Sequence, residues 1–149
     1  MKKYTGIFCL LTIAFGFQVF ATNAKDVSEK VIQAFKKTFP LAEKVNWQEF
    51  TDRYMVNFEE SHIRVVVDYD KDGNYLSSKR YYQEDNLPIN ILYKIRKKYA
   101  DKKIFGVTEL STELNTEYYV KLEDDKYWTT VKVDSGGRME TVEKFEKQG

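Results

Sequence analysis

One cysteine, one histidine and two prolines are all that the 149 residues contain of those three types. Cys9 lies inside an apolar N-terminal run, so removal of that run leaves a chain with no thiol. Disulfides, zinc–thiolate sites and a cysteine nucleophile are then excluded. A single imidazole, His62, supplies metal binding poorly and leaves little room for a histidine-based catalytic set. The seven glycines are scattered, and no Gly-rich phosphate loop, G-x-S-x-G elbow or H-E-x-x-H helix occurs. There is also no Gly/Ser linker and no low-complexity stretch. Nothing here gives a positive reason to expect an enzyme, a cofactor or a bound metal.

What is present begins with the N-terminus. Lys2 and Lys3 precede the apolar residues 7–20, and small residues follow at Ala21 and Ala24. Positive region, short apolar region and small-residue cleavage site form the order of a secretory signal peptide. A spanning helix needs about 20 apolar residues, so a retained anchor is not expected. Val19-Phe20-Ala21 places cleavage after Ala21, making residues 1–21 the signal; Thr22-Asn23-Ala24 is the other option. Cys9 sits within the run rather than after it, unlike a lipid-attachment cysteine. The expected location is periplasmic or secreted, with no stable membrane insertion once the signal is gone.

Cleavage leaves 22 basic against 23 acidic side chains, a net charge near −1. No global charge draws such a chain to nucleic acid or to a membrane surface. About 125 residues suffice for one sizeable core, and the 11 Tyr, 10 Phe and 2 Trp of the whole sequence favour β-structure.

The remaining chain repeats itself. At an offset of 64, Tyr54 matches Tyr118, Val56 matches Val120, Phe58 matches Leu122, Val67 matches Val131, Asp70 matches Asp134, Gly73 matches Gly137 and Tyr81 matches Phe145. Upstream the offset is 60: Val31/Ile91, Phe35/Ile95 and Phe39/Tyr99 repeat an i, i+4, i+8 stripe. The difference demands four extra residues near 111–117. The pattern predicts a tandem duplication with units at 26–83 and 86–147. Each unit reads as a helix followed by an antiparallel meander. The first helix is predicted from Asp26, with Glu29 completing a capping box, to Pro40. The second takes Asn86 as N-cap with Pro88 in its first turn. Period-two alternation sets Tyr54, Val56, Phe58 and Ile63, Val65, Val67, Tyr69 inward, with Tyr118, Val120, Leu122 and Tyr127, Thr129, Val131, Val133 as counterparts. One helix stripe covering one sheet face gives an α+β layer with both helices on one side.

Residues 68–75, DYDKDGNY, imitate a calcium loop. A helix-loop-helix site needs a bidentate Glu at position 12, yet the twelfth residue from Asp68 is Lys79, and the flanks are strands. The second copy keeps only Asp134 and Gly137. The reading is a hairpin turn requiring a positive-φ glycine. A signal peptide followed by two helix-plus-meander units, each with such a hairpin (VDYDKDGNY, then VDSGGRM), resembles the PepSY-like family. These are small exported bacterial proteins, common in Bacteroidetes and described as β-lactamase-inhibitor-like. The resemblance spans about residues 26–147, and the second hairpin departs from it by losing two acids. It implies the two-unit sheet with helices on one side and carries over no catalytic residue.

The pairs Glu59-Glu60 and Asp124-Asp125 read as equivalent solvated hairpin tips rather than paired general acids. The basic stretch 94–103 reads as a solvated helix end complementing the dipole, with an anionic partner as the sharper alternative. The face away from the helices holds Met55, His62, Arg64 and Val66 from the first unit, and Tyr119, Lys121, Trp128, Thr130 and Lys132 from the second. Met55, Arg64, Val66, Tyr119 and Trp128 are the expected contacts for a partner, because aromatic residues, Met and Arg are enriched at interfaces. The expected function is a non-catalytic binding module, inhibitory or regulatory toward an unknown envelope or extracellular protein. A structural envelope protein without a discrete site is the alternative, and a hydrolase using the acidic turns is a distant third.

Overall fold

The computed structural model describes residues 20–22 and 26–148. Most of the expected signal peptide therefore lies outside the described residues. In chain order come β1 (Phe20–Thr22), α1 (Glu29–Thr38), β2 (Glu43–Glu49), β3 (Arg53–Glu60), β4 (Ile63–Asp70), β5 (Tyr75–Tyr82), α2 (Ile89–Lys98), β6 (Lys103–Thr112), β7 (Thr116–Glu123), β8 (Tyr127–Asp134) and β9 (Met139–Glu146). All nine strands form one antiparallel sheet in sequential order. The class is α+β, a helix and an antiparallel meander twice over, as expected.

The helices form where apolar residues recur every four positions. In α1, Val31 and Phe35 are buried; in α2, Ile91 and Ile95 are. The caps differ from expectation. Ser28 rather than Asp26 caps α1, its Oγ accepting from the Val31 N–H at 3.5 Å. Asn86 lies in a short 3-10 turn, and Pro88 takes the position before α2, where its missing N–H costs nothing.

Both helices pack on the same sheet face. Ladder neighbours run Val65, Arg80, Glu109, Tyr118 across β4 to β7, so the inward residues of the two halves share one side. The first core is aromatic: Phe35 meets Trp47 and Phe58 edge-on at centroid distances of 5.3 and 5.1 Å. The second is aliphatic, built on Leu87, Ile91, Ile95, Val107, Val120, Leu122, Val131 and Val133. Each fully buried side chain of this kind contributes about 1.5–3 kcal/mol. Ile63 packs against both cores. Between them runs a polar seam, where Glu109 accepts from the Tyr82 hydroxyl and from the Arg80 guanidinium.

The two halves keep the same register. Arg53 faces Asp70 and Phe58 faces Val65; 64 residues later, Glu117 faces Asp134 and Leu122 faces Thr129. The extra residues of the second half lengthen the β6–β7 ribbon, as their predicted place near 111–117 requires. Gly73 and Gly137 both adopt positive φ, +89° and +82°. Asp70 caps its turn by accepting from the N–H groups of Asp72 and Asn74, and Asp134 does the same for Arg138. Among the described residues no helix is long and apolar enough to cross a membrane.

Candidate functional site

Among the described residues both helices pack on one side of the sheet and leave the other side bare, and the side chains of that face follow from the ladders. One row crosses five strands: Arg64, Tyr81, Thr108, Tyr119, Lys132. Two residues further along the strands lie Lys121, Thr130 and Glu143, and beyond them Glu123, Trp128 and Phe145. A groove with a volume of about 440 Å³ opens here, lined by Tyr81, Phe105, Tyr119, Lys121, Thr130 and Glu143 among others.

A β-bulge builds its wall. Ile104 faces Leu122 and Val107 faces Val120, so both point to the helix side, and Phe105 and Gly106 stand between them. The extra residue turns Phe105 outward. There its ring meets Trp128 edge-on at 4.8 Å while remaining 53% exposed. Phe145, at 60%, extends the apolar strip to the edge strand. Cations sit on these rings: Lys121 Nζ is 4.8 Å from the Trp128 centroid, and the Arg64 guanidinium is 5.2 Å from that of Tyr81.

The structure thus brings Tyr119, Trp128 and Arg64 into one surface. Met55 stands apart, facing Gln48 and Asp68 on the far strands of the first half. Val66 corrects the expectation of an exposed contact: it is only 8% exposed, hemmed between Asn57 and the long side chain of Lys79. His62 is likewise not on the face. It and Ser61 form the β3–β4 turn with φ of +64° and +51°. Tyr81, Phe105 and Phe145 escaped the alternation argument. Gly106 was the available signal, since an isolated glycine in a strand marks a bulge.

Of the acidic candidates, Glu59 and Asp124 are engaged in ion pairs. The register pairs Glu59-Glu60 with Glu123-Asp124, so Asp125 corresponds to Ser61 rather than to an acid. Asp124 caps its own turn through the N–H groups of Lys126 and Tyr127 and pairs with Lys102. The Lys102 ammonium, with those two N–H groups, holds its carboxyl well below the usual range. Asp68, Asp70 and Asp72 diverge: Arg53 and Ser77 hold the first, the turn amides hold the second, and Lys30 pairs with the third. Among the described residues no group of three or more His, Cys, Asp or Glu side chains could hold a metal ion. The basic stretch is partly tied down as well, since Lys94 donates to the Gly136 carbonyl and Arg96 pairs with Glu84.

The fold recurs in solved structures. A BLIP-like protein from Bacteroides fragilis is 22% identical with a TM-score of 0.60, the match covering 80% of this chain and 85% of that one. A DUF2874 family protein from Bacteroides uniformis is 16% identical at a TM-score of 0.59, with 80% and 88% covered. A candidate periplasmic protein from Bacteroides eggerthii is 15% identical at 0.60, with 80% and 88% covered. The sheet with helices on one side is therefore a BLIP-like fold. No family model matches the sequence, and no curated protein does.

Proposed function

We propose that this chain is an exported, non-catalytic binding module that engages an envelope or extracellular protein through the bare sheet face. The observation that carries the reading is the cluster of Phe105, Trp128, Tyr119 and Tyr81 around one groove, with Phe105 half-exposed on a folded surface. Large aromatics gathered at the centre of a face are the usual anchors of protein interfaces, and exposed apolar clusters of this kind mark interaction sites. The fold is shared with a protein called BLIP-like, and inhibition of an extracellular enzyme is the corresponding form of the function. Glu59 and Asp124, each held in an ion pair, argue against hydrolysis through the acidic turns.

Export rests on the signal-like residues 1–21 and accords with the periplasmic description of the Bacteroides eggerthii protein. Descent from a duplicated PepSY-like unit, with copies at 26–83 and 86–147, rests on the shared register and the paired turn glycines.

Capture from envelope extract tests the function, with the Trp128→Ala, Tyr119→Ala double variant beside the unaltered protein. The expected result is a specific partner lost in the variant while Tm holds. A partner retained equally by both removes the face from consideration. N-terminal sequencing of the same fraction should read from Thr22 or Lys25, and an intact Met1 in the cytoplasm contradicts export.

A further inference from the structure

The ionic bookkeeping of the bare face is unequal, and the inequality specifies what fits it. Most of its carboxylates are already neutralised within the chain. Glu117 pairs with Lys132 at 2.7 Å, Asp68 with Arg53 at 3.2 Å, Glu123 with Lys147 at 3.1 Å and Glu59 with Lys44 at 2.6 Å. Three cations on β4, β5 and β7 are not. Among the described residues, Arg64, Lys79 and Lys121 have no carboxylate within ion-pair distance. Opposing them at the groove is Glu143, which accepts from the Thr130 hydroxyl, and Glu140 lies further out beside Lys132. The expected mature charge is near −1, so this local positive excess comes from placement and not from composition.

Two of the three cations are also held in place. Lys121 lies over both Phe105 and Trp128, at 5.7 and 4.8 Å, and Arg64 lies over Tyr81. A ring face positions a cation without neutralising it, so the side-chain ordering that binding normally requires is already partly done. The face therefore offers pre-set positive charges interleaved with apolar rings.

Building on the protein-binding reading above, we propose that the partner docks on this face with an acidic, apolar-interspersed segment, its carboxylates meeting Lys121, Lys79 and Arg64 and its apolar side chains entering the Tyr81–Tyr119–Phe105 groove. Complementary charge of this kind fixes register and speeds encounter.

The protein carries its own reporter, because Trp47 is buried at 3% exposure while Trp128 lies on the face. The probe is a short synthetic peptide of glutamates interspersed with leucines, titrated against the full mature chain with tryptophan emission read. A glutamine-for-glutamate peptide and polygalacturonate are the comparison ligands. The expected result is a saturable change with the acidic peptide, weakening as salt rises. It should be at least about tenfold weaker in the Lys79→Glu, Lys121→Glu variant at unchanged Tm, a loss of about 1.4 kcal/mol. Equal binding by the variant, equal binding of the glutamine peptide, no binding of the acidic peptide, or binding of polygalacturonate alone overturns the proposal. None of these outcomes touches the capture experiment. A partner lost on Trp128→Ala, Tyr119→Ala would keep the face and discard only the acidic segment.

Discussion

Thr129 offers a test of the packing that needs no knowledge of the partner. It is 4% exposed on the inward side of β8, and its Oγ1 is a buried polar atom without a hydrogen-bond partner. Its counterpart 64 residues earlier is Val65, also 4% exposed, on the same strand of the other half and in the same register. The fold thus already shows that valine suits this position. A buried hydroxyl left unpaired costs about 1–3 kcal/mol, and replacing it with a methyl of similar shape removes that cost while keeping the β-branch that strands favour. Thr129→Val should therefore stabilise the chain by roughly 1–2 kcal/mol, a rise in Tm of about 3–8 °C for a domain of this size. The reverse change, Val65→Thr, should destabilise by a similar amount, because it introduces the same orphan hydroxyl into the aromatic core. Urea unfolding followed by circular dichroism measures both, and an unchanged m-value shows that the effect is on stability and not on the denatured state. If Thr129→Val leaves the midpoint where it was, or lowers it, the hydroxyl has a partner and the reasoning fails.

Two further expectations follow from the turns and the cores. Gly73→Ala and Gly137→Ala each force a side chain into positive φ and should each cost about 1 kcal/mol. The first should cost more, since its Cβ would lie 3.1 Å from the Lys30 backbone carbonyl oxygen, whereas the second meets only the flexible Lys94 side chain; equal losses in thermal melts would contradict this. At alkaline pH, burial pushes the Tyr69 hydroxyl up to about 12 and raises those of Tyr82 and Tyr118 as well. A folded-state pKa above the unfolded value of about 10 gives stability that is complete below pH 10 and is lost as pH climbs toward 12. Tm should accordingly fall across that window, and tyrosinate absorbance should show these three ionising only with unfolding; early, independent ionisation of every tyrosine would refute it.

Much of this architecture was legible because a β-strand has period two and the chain states its pattern twice. Val56 and Val120, or Val67 and Val131, could be set inward from alternation alone, and the offset between the halves said that whatever register one half takes, the other repeats. The turn glycines were legible for a similar reason. Asp70 and Gly73 recur as Asp134 and Gly137 while Asp68 and Asp72 do not recur, which separates a backbone need from a ligand set. Helix starts were less legible, since Asp26 and Ser28 are both competent caps and only the geometry selects Ser28.

The bare face was the least legible part, and the reason is physical. Alternation says which way a side chain points, but exposure depends on what stands beside it. Val66 points away from the helices and is still buried by its ladder neighbours, while Phe105 is exposed because a bulge shifts the phase of β6. A bulge also falls at the matching place in the first half, between Glu43 and Asn46 on β2, there with Lys44 at φ +52° and Val45 left 41% exposed. One backbone device therefore appears twice and displays different chemistry each time. In the first half it carries a lysine and a valine near the edge of the sheet. In the second it lifts a phenylalanine against Trp128, at the wall of the groove. The shared fold accounts for the helices, the cores and the turns of both halves, but it does not require a phenylalanine, a tryptophan and a lysine to converge on one bare surface. That asymmetry is why the proposed binding surface is the face between β4 and β9.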